Sequence, residues 1–278
     1  MAKKELQTQE EQNKALALGS DFDFGSDVGA GMEGADKDSF AIPFLRALQK
    51  ISPQVDEADA EYIEGAKPGM LYNSVTKQLF DGKDGLFVLP CAYQRRFLKW
   101  GPRGTSEGGY KGEFLPEDIA AMLAKGEVRE QENRIWVPDA NGEVNVKKCD
   151  HFADTRSHFV LIYDPTTCEV QQALLALSST QIKKSKQLMS LLNNAKVQTA
   201  NGMVTPPTWM NIIKITTVLE SNDQGSWYGL RIEPAGFIDR KDVYDAGKAF
   251  HAAIAAGEAK ANYAAMDDAA AGPKEGDF

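Results

Sequence analysis

The feature that most constrains the fold is a series of apolar, β-branched and aromatic runs separated by turn signals. The longest run, "LFVLPCAYQRRFLKW", covers residues 86–100 and is interrupted only at Gln94–Arg96 and Lys99. A run of this composition predicts a β-strand, and the pairs Asp81-Gly82 and Asp84-Gly85 before it predict tight turns. The pattern therefore predicts a strand-rich core.

Other local signals place the remaining elements. Hairpins are expected where turn residues separate two β-type runs, and helices where an apolar period lies between start and stop residues. The hairpins are predicted at Asn141-Gly142, Asp164-Pro165 and 221–225, and the helices between Pro43 and Pro53, at 116–126, at 180–196 and at 240–266. The fold class predicted from this order is α+β and β-rich, an OB-like antiparallel barrel elaborated with helical insertions.

Charge divides the chain into a body and two acidic ends. The formal net charge is -9, of which residues 1–64 carry -8 and residues 239–278 carry -3, so that residues 65–238 carry +2. We expect a disordered acidic N-terminal segment over 1–38 and a β-rich nucleic-acid-binding body over 39–238. A C-terminal helix over 239–266 and an acidic disordered tail over 267–278 are expected to follow. Whether the body is one domain or two stays open.

Motifs for catalysis are missing from the sequence. It contains no phosphate-binding loop, dinucleotide fingerprint, nucleophile elbow or zinc-protease motif, and only 3 histidines. Cys149, His151, His158 and Cys168 have zinc-binding side chains, but their spacing does not match the usual ligand patterns. We therefore expect no enzyme activity, no cofactor and no metal.

The strongest functional pattern is basic and aromatic. Single-stranded nucleic acid is bound by cations that neutralise phosphates and by flat rings that stack on bases. On a strand, alternate residues share a face, so Tyr93, Arg95, Phe97 and Lys99 are predicted on one face and Gln94, Arg96, Leu98 and Trp100 on the other. The candidate binding residues of this stretch are Tyr93, Arg95, Arg96, Phe97, Lys99, Trp100, Arg103, Tyr110 and Lys111. The alternative is that Phe97 or Trp100 is a core residue.

A second basic group lies in the predicted helix at 180–196. Lys183, Lys184 and Lys186 have no carboxylate near them in the sequence, which is typical of a phosphate-binding face and equally of a solvated helix surface. Trp209, Trp227, Tyr228 and Arg231 are interpreted as core or strand residues, since large aromatic side chains usually pack inside.

The chain ends "KEGDF", with an apolar Phe278 after Asp277 in an acidic segment. Together with the basic and aromatic body, this ending resembles the single-stranded DNA-binding proteins of bacteria and tailed bacteriophages. The resemblance implies an OB-fold domain that binds the strand and a tail whose terminal Phe and nearby acids, here Asp277 and Phe278, dock on replication partners.

The sequence therefore predicts a phage protein that binds single-stranded DNA in replication or recombination, without catalysis. The alternatives are a phage protein-interaction module that recruits or inhibits a host factor, and a metal-dependent nucleic-acid enzyme. Expected partners are single-stranded DNA and replication or recombination proteins, and self-association stays open. A host-cytoplasmic location without membrane contact is expected, because no signal peptide and no apolar run of about 18 residues is present.

Overall fold

The computed structural model describes residues 30–35, 39–102, 105–132, 134–223 and 225–266. The chain divides into two units, residues 1–40 and 41–278. In the first unit, residues 30–35 form turns in which the amide of Gly31 donates to the Glu33 carboxylate. Most of the predicted N-terminal segment 1–38 and the whole tail 267–278 lie outside the described residues.

The second unit is built from short and long strands with a few helices inserted between them. Its strands are β1 (Leu45–Ala47), β2 (Leu71–Asn73), β3 (Leu79–Phe80), β4 (Leu86–Gly101), β5 (Gly109–Phe114), β6 (Arg129–Gln131), β7 (Arg134–Trp136), β8 (His151–Tyr163), β9 (Val170–Ser178), β10 (Val197–Thr199), β11 (Gly202–Val204), β12 (Asn211–Asn222) and β13 (Gly225–Phe237). Its α-helices within the described residues are α1 (Pro116–Lys125), α2 (Ile182–Asn194) and α3 (Lys241–Ala256).

The long strands β4 and β8 form the centre of the main sheet. Near the start of β4 the strand order is β13-β12-β4-β8-β9, and near its end the order is β5-β4-β8-β7-β6. Pairing throughout this sheet is antiparallel, and the sheet curls into a half-barrel. The structure thus confirms a strand-rich α+β fold.

Helices and small sheets cover the two faces of the main sheet. One face packs against α3 through a cluster that includes Leu98, Trp100, Phe159 and Phe250. The other packs against α2 and the small β1-β2-β3 sheet through a second cluster, and Phe97 lies in a third cluster with α1. Both faces of the central strands are therefore partly buried.

Local signals predicted several elements correctly. Strand β4 covers the predicted run, β8 and β9 turn at Asp164-Pro165, and β12 and β13 are joined across 221–225. Helix α1 begins at Pro116 with two acids in its first turn and ends at Lys125, just before Gly126, which has φ 73°. The left-handed conformation explains why a glycine stops this helix.

Three local predictions were wrong. The segment between Pro43 and Pro53 contains strand β1 instead of a helix, because it pairs with β2. Asn141-Gly142 lies in a turn without flanking strands, since β7 ends at Trp136 and pairs with β6. The C-terminal helix covers Lys241–Ala256 and not 239–266, because Gly257 adopts a left-handed conformation at φ 71°.

Glutamine side chains cap the outer edge of β13, where no strand pairs within the described part of the chain. Gln49 accepts a hydrogen bond from the Tyr228 amide at 2.8 Å and donates to the Tyr228 carbonyl at 2.9 Å. Gln181 accepts from the amide of Leu230 at 3.2 Å. Gln187 likewise donates to the Ile232 carbonyl at 3.2 Å. Tyr228, Leu230 and Ile232 are two residues apart, so their backbone N–H and C=O groups point to the same edge of β13. The side-chain amides of the three glutamines occupy the hydrogen-bonding positions that a neighbouring strand would take.

Candidate nucleic-acid interface

The register between β4 and β8 fixes which candidate residues share a face. From Ala92 to Trp100 the two strands pair without a shift, so the predicted alternation holds. The face of Tyr93 and Arg95 also carries their cross-strand partners His158 and Arg156. This alternation decides which side chains can act together.

Two of the predicted stacking rings are core residues. Trp100 is 3% exposed in the cluster with α3, and Phe97 is 7% exposed in the cluster with α1. Tyr110 is partly buried, with its ring centroid 5.7 Å from that of Trp100. Phe97 and Trp100 therefore pack in the core and are not among the residues proposed to contact DNA.

The Asp154 cluster joins Tyr93, Arg95, Asp154 and Arg156. Arg95 donates two hydrogen bonds to the Asp154 carboxylate at 3.0 and 2.8 Å, and Arg156 donates two more, both at 2.9 Å. Arg156 also donates to the Tyr93 hydroxyl at 3.1 Å. The Asp154 carboxylate thus positions both guanidinium groups. Arg156 in turn positions the hydroxyl of Tyr93, which is 37% exposed.

The charges of this cluster do not cancel. Burial raises the pKa of Asp154, but hydrogen bonds from Arg95 and Arg156 outweigh that effect, and its pKa lies below the ordinary value. The carboxylate is therefore ionised at neutral pH, and the cluster has a net charge of +1 from two cations and one anion.

The Asp150 cluster brings together two other predicted cations. The Asp150 carboxylate lies 3.2 Å from the Lys99 ammonium and 2.6 Å from that of Lys111. Burial raises the pKa of Asp150, but hydrogen bonds from Lys111 and Lys99 keep it below the ordinary value. This cluster also has two cations for one anion.

Arg96 lies on the opposite face of β4. Its Nη1 donates to the Arg95 carbonyl at 3.0 Å, and its Nε lies 3.6 Å from a carboxylate oxygen of Glu113. Arg103 lies outside the described residues.

The Glu220 cluster corrects the interpretation of the second basic group. Glu220 on β12 lies 2.9 Å from the Lys184 ammonium and 3.9 Å from that of Lys183, so a carboxylate distant in the sequence pairs with both lysines and leaves one cation unbalanced. The indole of Trp227 donates to the same carboxylate at 3.1 Å. Lys186 is exposed, and within the described residues it forms no ion pair.

The first turn of α2 connects the Asp154 and Glu220 clusters. His158 Nε2 lies 2.8 Å from the Ser185 hydroxyl oxygen, and the His158 ring centroid lies 5.0 Å from that of Tyr93. Ser185 follows Lys184, which pairs with Glu220. Burial, with a smaller contribution from Arg156, lowers the pKa of His158 to about 4, so this link is neutral at neutral pH.

The four zinc-type side chains do not form a metal site. Cys149 accepts a hydrogen bond from the Asn145 amide, and the His151 ring lies against Trp136. His158 bonds to Ser185, and Cys168 lies 4.0 Å from the Tyr163 hydroxyl. Across the described ranges, no group of three or more His, Cys, Asp or Glu side chains could hold a metal ion.

Sequence reasoning missed the acidic half of these clusters. Asp150, Asp154, Glu113 and Glu220 were not among the candidates, and neither was Arg156. The alternation "DTR" at 154–156 puts Asp154 and Arg156 on one strand face and could have indicated that pair. The predicted docking residues Asp277 and Phe278 lie outside the described residues.

Within the residues described, no helix is long and apolar enough to cross a membrane.

The fold and these clusters define a strand-rich α+β protein whose surface cations share carboxylates. The sequence model of the Pam3 phage gp34-like protein family matches residues 10–260. The chain therefore belongs to this phage family, which supports the phage origin that the sequence indicated. No curated protein and no solved structure matches it.

Proposed function

We propose that this phage protein binds single-stranded DNA in replication or recombination, without catalysis. The observation that carries the proposal is shared by the Asp154 and Glu220 clusters. In each, one carboxylate holds two cations and an aromatic side chain is hydrogen-bonded into the group by its polar end.

This arrangement provides both parts of a single-strand site. The rings of Tyr93 and Trp227 are partly exposed and fixed in position, and stacking on such rings stabilises a bound base by roughly 1–3 kcal/mol. The unbalanced cation in each cluster attracts a phosphate. Buried contacts through Ser185 and His158 connect the two clusters, and we propose that the strand runs from one cluster to the other.

The curled sheet supports an OB-like assignment for the body. In OB folds the oligonucleotide lies against the outside of a small antiparallel barrel. Here β12, β4, β8 and β9 and the covering β1 line one apolar cluster, together with residues of β2, β13 and α2. We further propose that replication or recombination proteins of the host cytoplasm dock on the acidic tail through Asp277 and Phe278.

The test is fluorescence anisotropy of a labelled oligothymidylate with the full chain at a series of salt concentrations. The unbalanced cations of the Asp154 and Glu220 clusters correspond to about two released counterions, so the plot of log affinity against log salt should have a slope of about -1.4 if the strand contacts these two clusters alone. Tyr93→Ala should weaken binding by roughly five-fold or more, since it removes one stacking ring. Tyr62→Ala, in the loop before β2, is the matched control.

Each alternative function predicts a different result. Absence of binding at low salt contradicts DNA binding. Capture of a bacterial protein that depends on the last ten residues would then support an interaction module. Cleavage of the oligonucleotide with magnesium present would contradict a role without catalysis.

A further inference from the structure

A groove of about 320 Å³ lies on the opposite face of β4 from the Asp154 cluster. One wall is formed by polar side chains of the sheet, Gln94 and Arg96 on β4 and Glu113 on β5. The other wall is formed by the end of α3 and the residues after it, which contribute four alanines together with Ile254, Gly257, Lys260 and Tyr263. The volume is at the lower end of the range of ligand pockets, roughly 300–1,000 Å³.

The groove lies beside a part of β4 that has no strand neighbour on that side. Strand β12 pairs with β4 only at 86–88, and β5 pairs with it only at 97–101. Tyr93 and Arg95 point to one face of this interval, and Gln94 and Arg96 to the other. A strand of DNA held at the Asp154 cluster would have to cross this edge of β4 to place a base in the groove on the opposite face.

The polar wall has hydrogen-bonding capacity to spare. The 3.6 Å separation of Arg96 Nε and Glu113 Oε2 is longer than a normal hydrogen bond. The Glu113 side chain is 47% exposed and that of Arg96 is 25% exposed. One of the five N–H donors of Arg96 forms a hydrogen bond to the Arg95 carbonyl, so other donors remain for a ligand.

The electrostatics of the groove favour a neutral ligand over a phosphate. The C-terminal end of α3 carries a partial negative charge, and the Glu113 carboxylate adds a full one. Arg96 and Lys260 exceed these negative charges by only about half a unit charge, and the Glu113 carboxylate repels an anion. A ligand with both donors and acceptors therefore fits better than an anion.

We propose that this groove binds one guanine base of the single strand, an inference that rests on the proposed function. Guanine offers two adjacent donors, N1–H and the N2 amino group, to the two oxygens of Glu113, and its O6 accepts from Arg96. Adenine, cytosine and thymine each present a single donor group on this edge. Small alanine side chains on the other wall border the space that the base would occupy.

The experiment measures binding of dGMP, dAMP, dCMP and dTMP to the full chain by saturation-transfer NMR. It also measures the affinity for an oligothymidylate that contains one central guanine or one central adenine. We expect dGMP and the guanine oligonucleotide to bind about tenfold more tightly than their counterparts. Equal binding of the four mononucleotides and of the two oligonucleotides overturns the proposal.

Variants locate the site. Glu113→Gln should abolish the preference for guanine, because an amide presents one acceptor and a donor where guanine needs two acceptors. Ala256→Leu, a helix-compatible change at an exposed residue, should block the groove while all polar groups remain. Glu130→Gln, an exposed acid on β6, is the control and should keep the preference. A preference that survives both groove variants contradicts the assignment.

The two proposals fail in different ways. Binding of dGMP without binding of oligothymidylate at low salt would retain the groove and contradict the proposed function. Binding of oligothymidylate without any preference for guanine would retain the proposed function and contradict the assignment of the groove.

Discussion

Replacing Asp154 with Asn tests whether the Asp154 cluster contacts DNA. The change removes the anion that two guanidinium groups share, so the net charge of the cluster rises from +1 to +2. Asparagine has a similar shape and still accepts hydrogen bonds through its single oxygen. We therefore expect a folded protein that binds oligothymidylate more tightly.

The size of the effect follows from Coulomb's law. A phosphate about 6 Å from the carboxylate is repelled by about 0.7 kcal/mol at the dielectric constant of water and by about 2.8 kcal/mol at an effective value near 20. Arg95 and Tyr93 are both partly exposed, so the lower part of this range applies. The expected gain in affinity is about threefold to tenfold. The salt dependence should steepen by about 0.7 in slope, since one more phosphate is neutralised.

The assay is the same anisotropy titration, with circular dichroism and thermal unfolding of each variant. Asp84→Asn is the matched control, because it removes the same formal charge from an exposed turn. Removing the shared carboxylate should cost stability, on the order of 1–3 kcal/mol, since the guanidinium groups lose charge-assisted hydrogen bonds. An unchanged or weaker affinity in a folded Asp154→Asn protein would refute the reasoning.

Three further predictions concern stability. Burial lowers the pKa of His158 to about 4. The contribution of the neutral His158 to the free energy of unfolding, measured by denaturant titration, should therefore be complete above pH 6.5 and fall by about 3 kcal/mol as the pH drops toward 4. A wild-type pH profile parallel to that of His158→Gln would contradict this. Trp100→Ala should lower the free energy of unfolding by about 3–5 kcal/mol because it empties a core position, and a native-like melting temperature would show that the ring is dispensable. Gln49→Ala should cost about 1–3 kcal/mol by leaving the amide and carbonyl of Tyr228 without their partner, whereas no change in urea unfolding would mean that water replaces the side chain.

The elements that the sequence predicted correctly depend on residues close together in the chain. Helix α1 has its start signal at Pro116 and its stop signal at Gly126, and the β8–β9 hairpin has its turn at Asp164-Pro165. Strand β1 was mistaken for a helix because its partner β2 lies more than 20 residues further on. Two flanking prolines could not reveal that pairing.

The candidate site was predicted in composition but not in its contacts. Alternation along β4 placed Tyr93 and Arg95 on one face correctly, yet it could not show that α3 covers Trp100. The carboxylates that hold the cations are distant in sequence, as with Arg95 and Asp154, which are 59 positions apart. Only the register of the strands brings such residues together.

The glutamines along β13 have a consequence for how this edge of the sheet is protected. Proteins commonly protect an exposed strand edge with lysine or another charged residue, which adds a cation wherever a sheet ends. Here Gln49, Gln181 and Gln187 end the sheet with neutral groups. At these three residues of β13 the edge is thus closed to strand addition from another copy by uncharged side chains. Self-association by strand pairing at Tyr228, Leu230 or Ile232 would first have to displace a glutamine side chain.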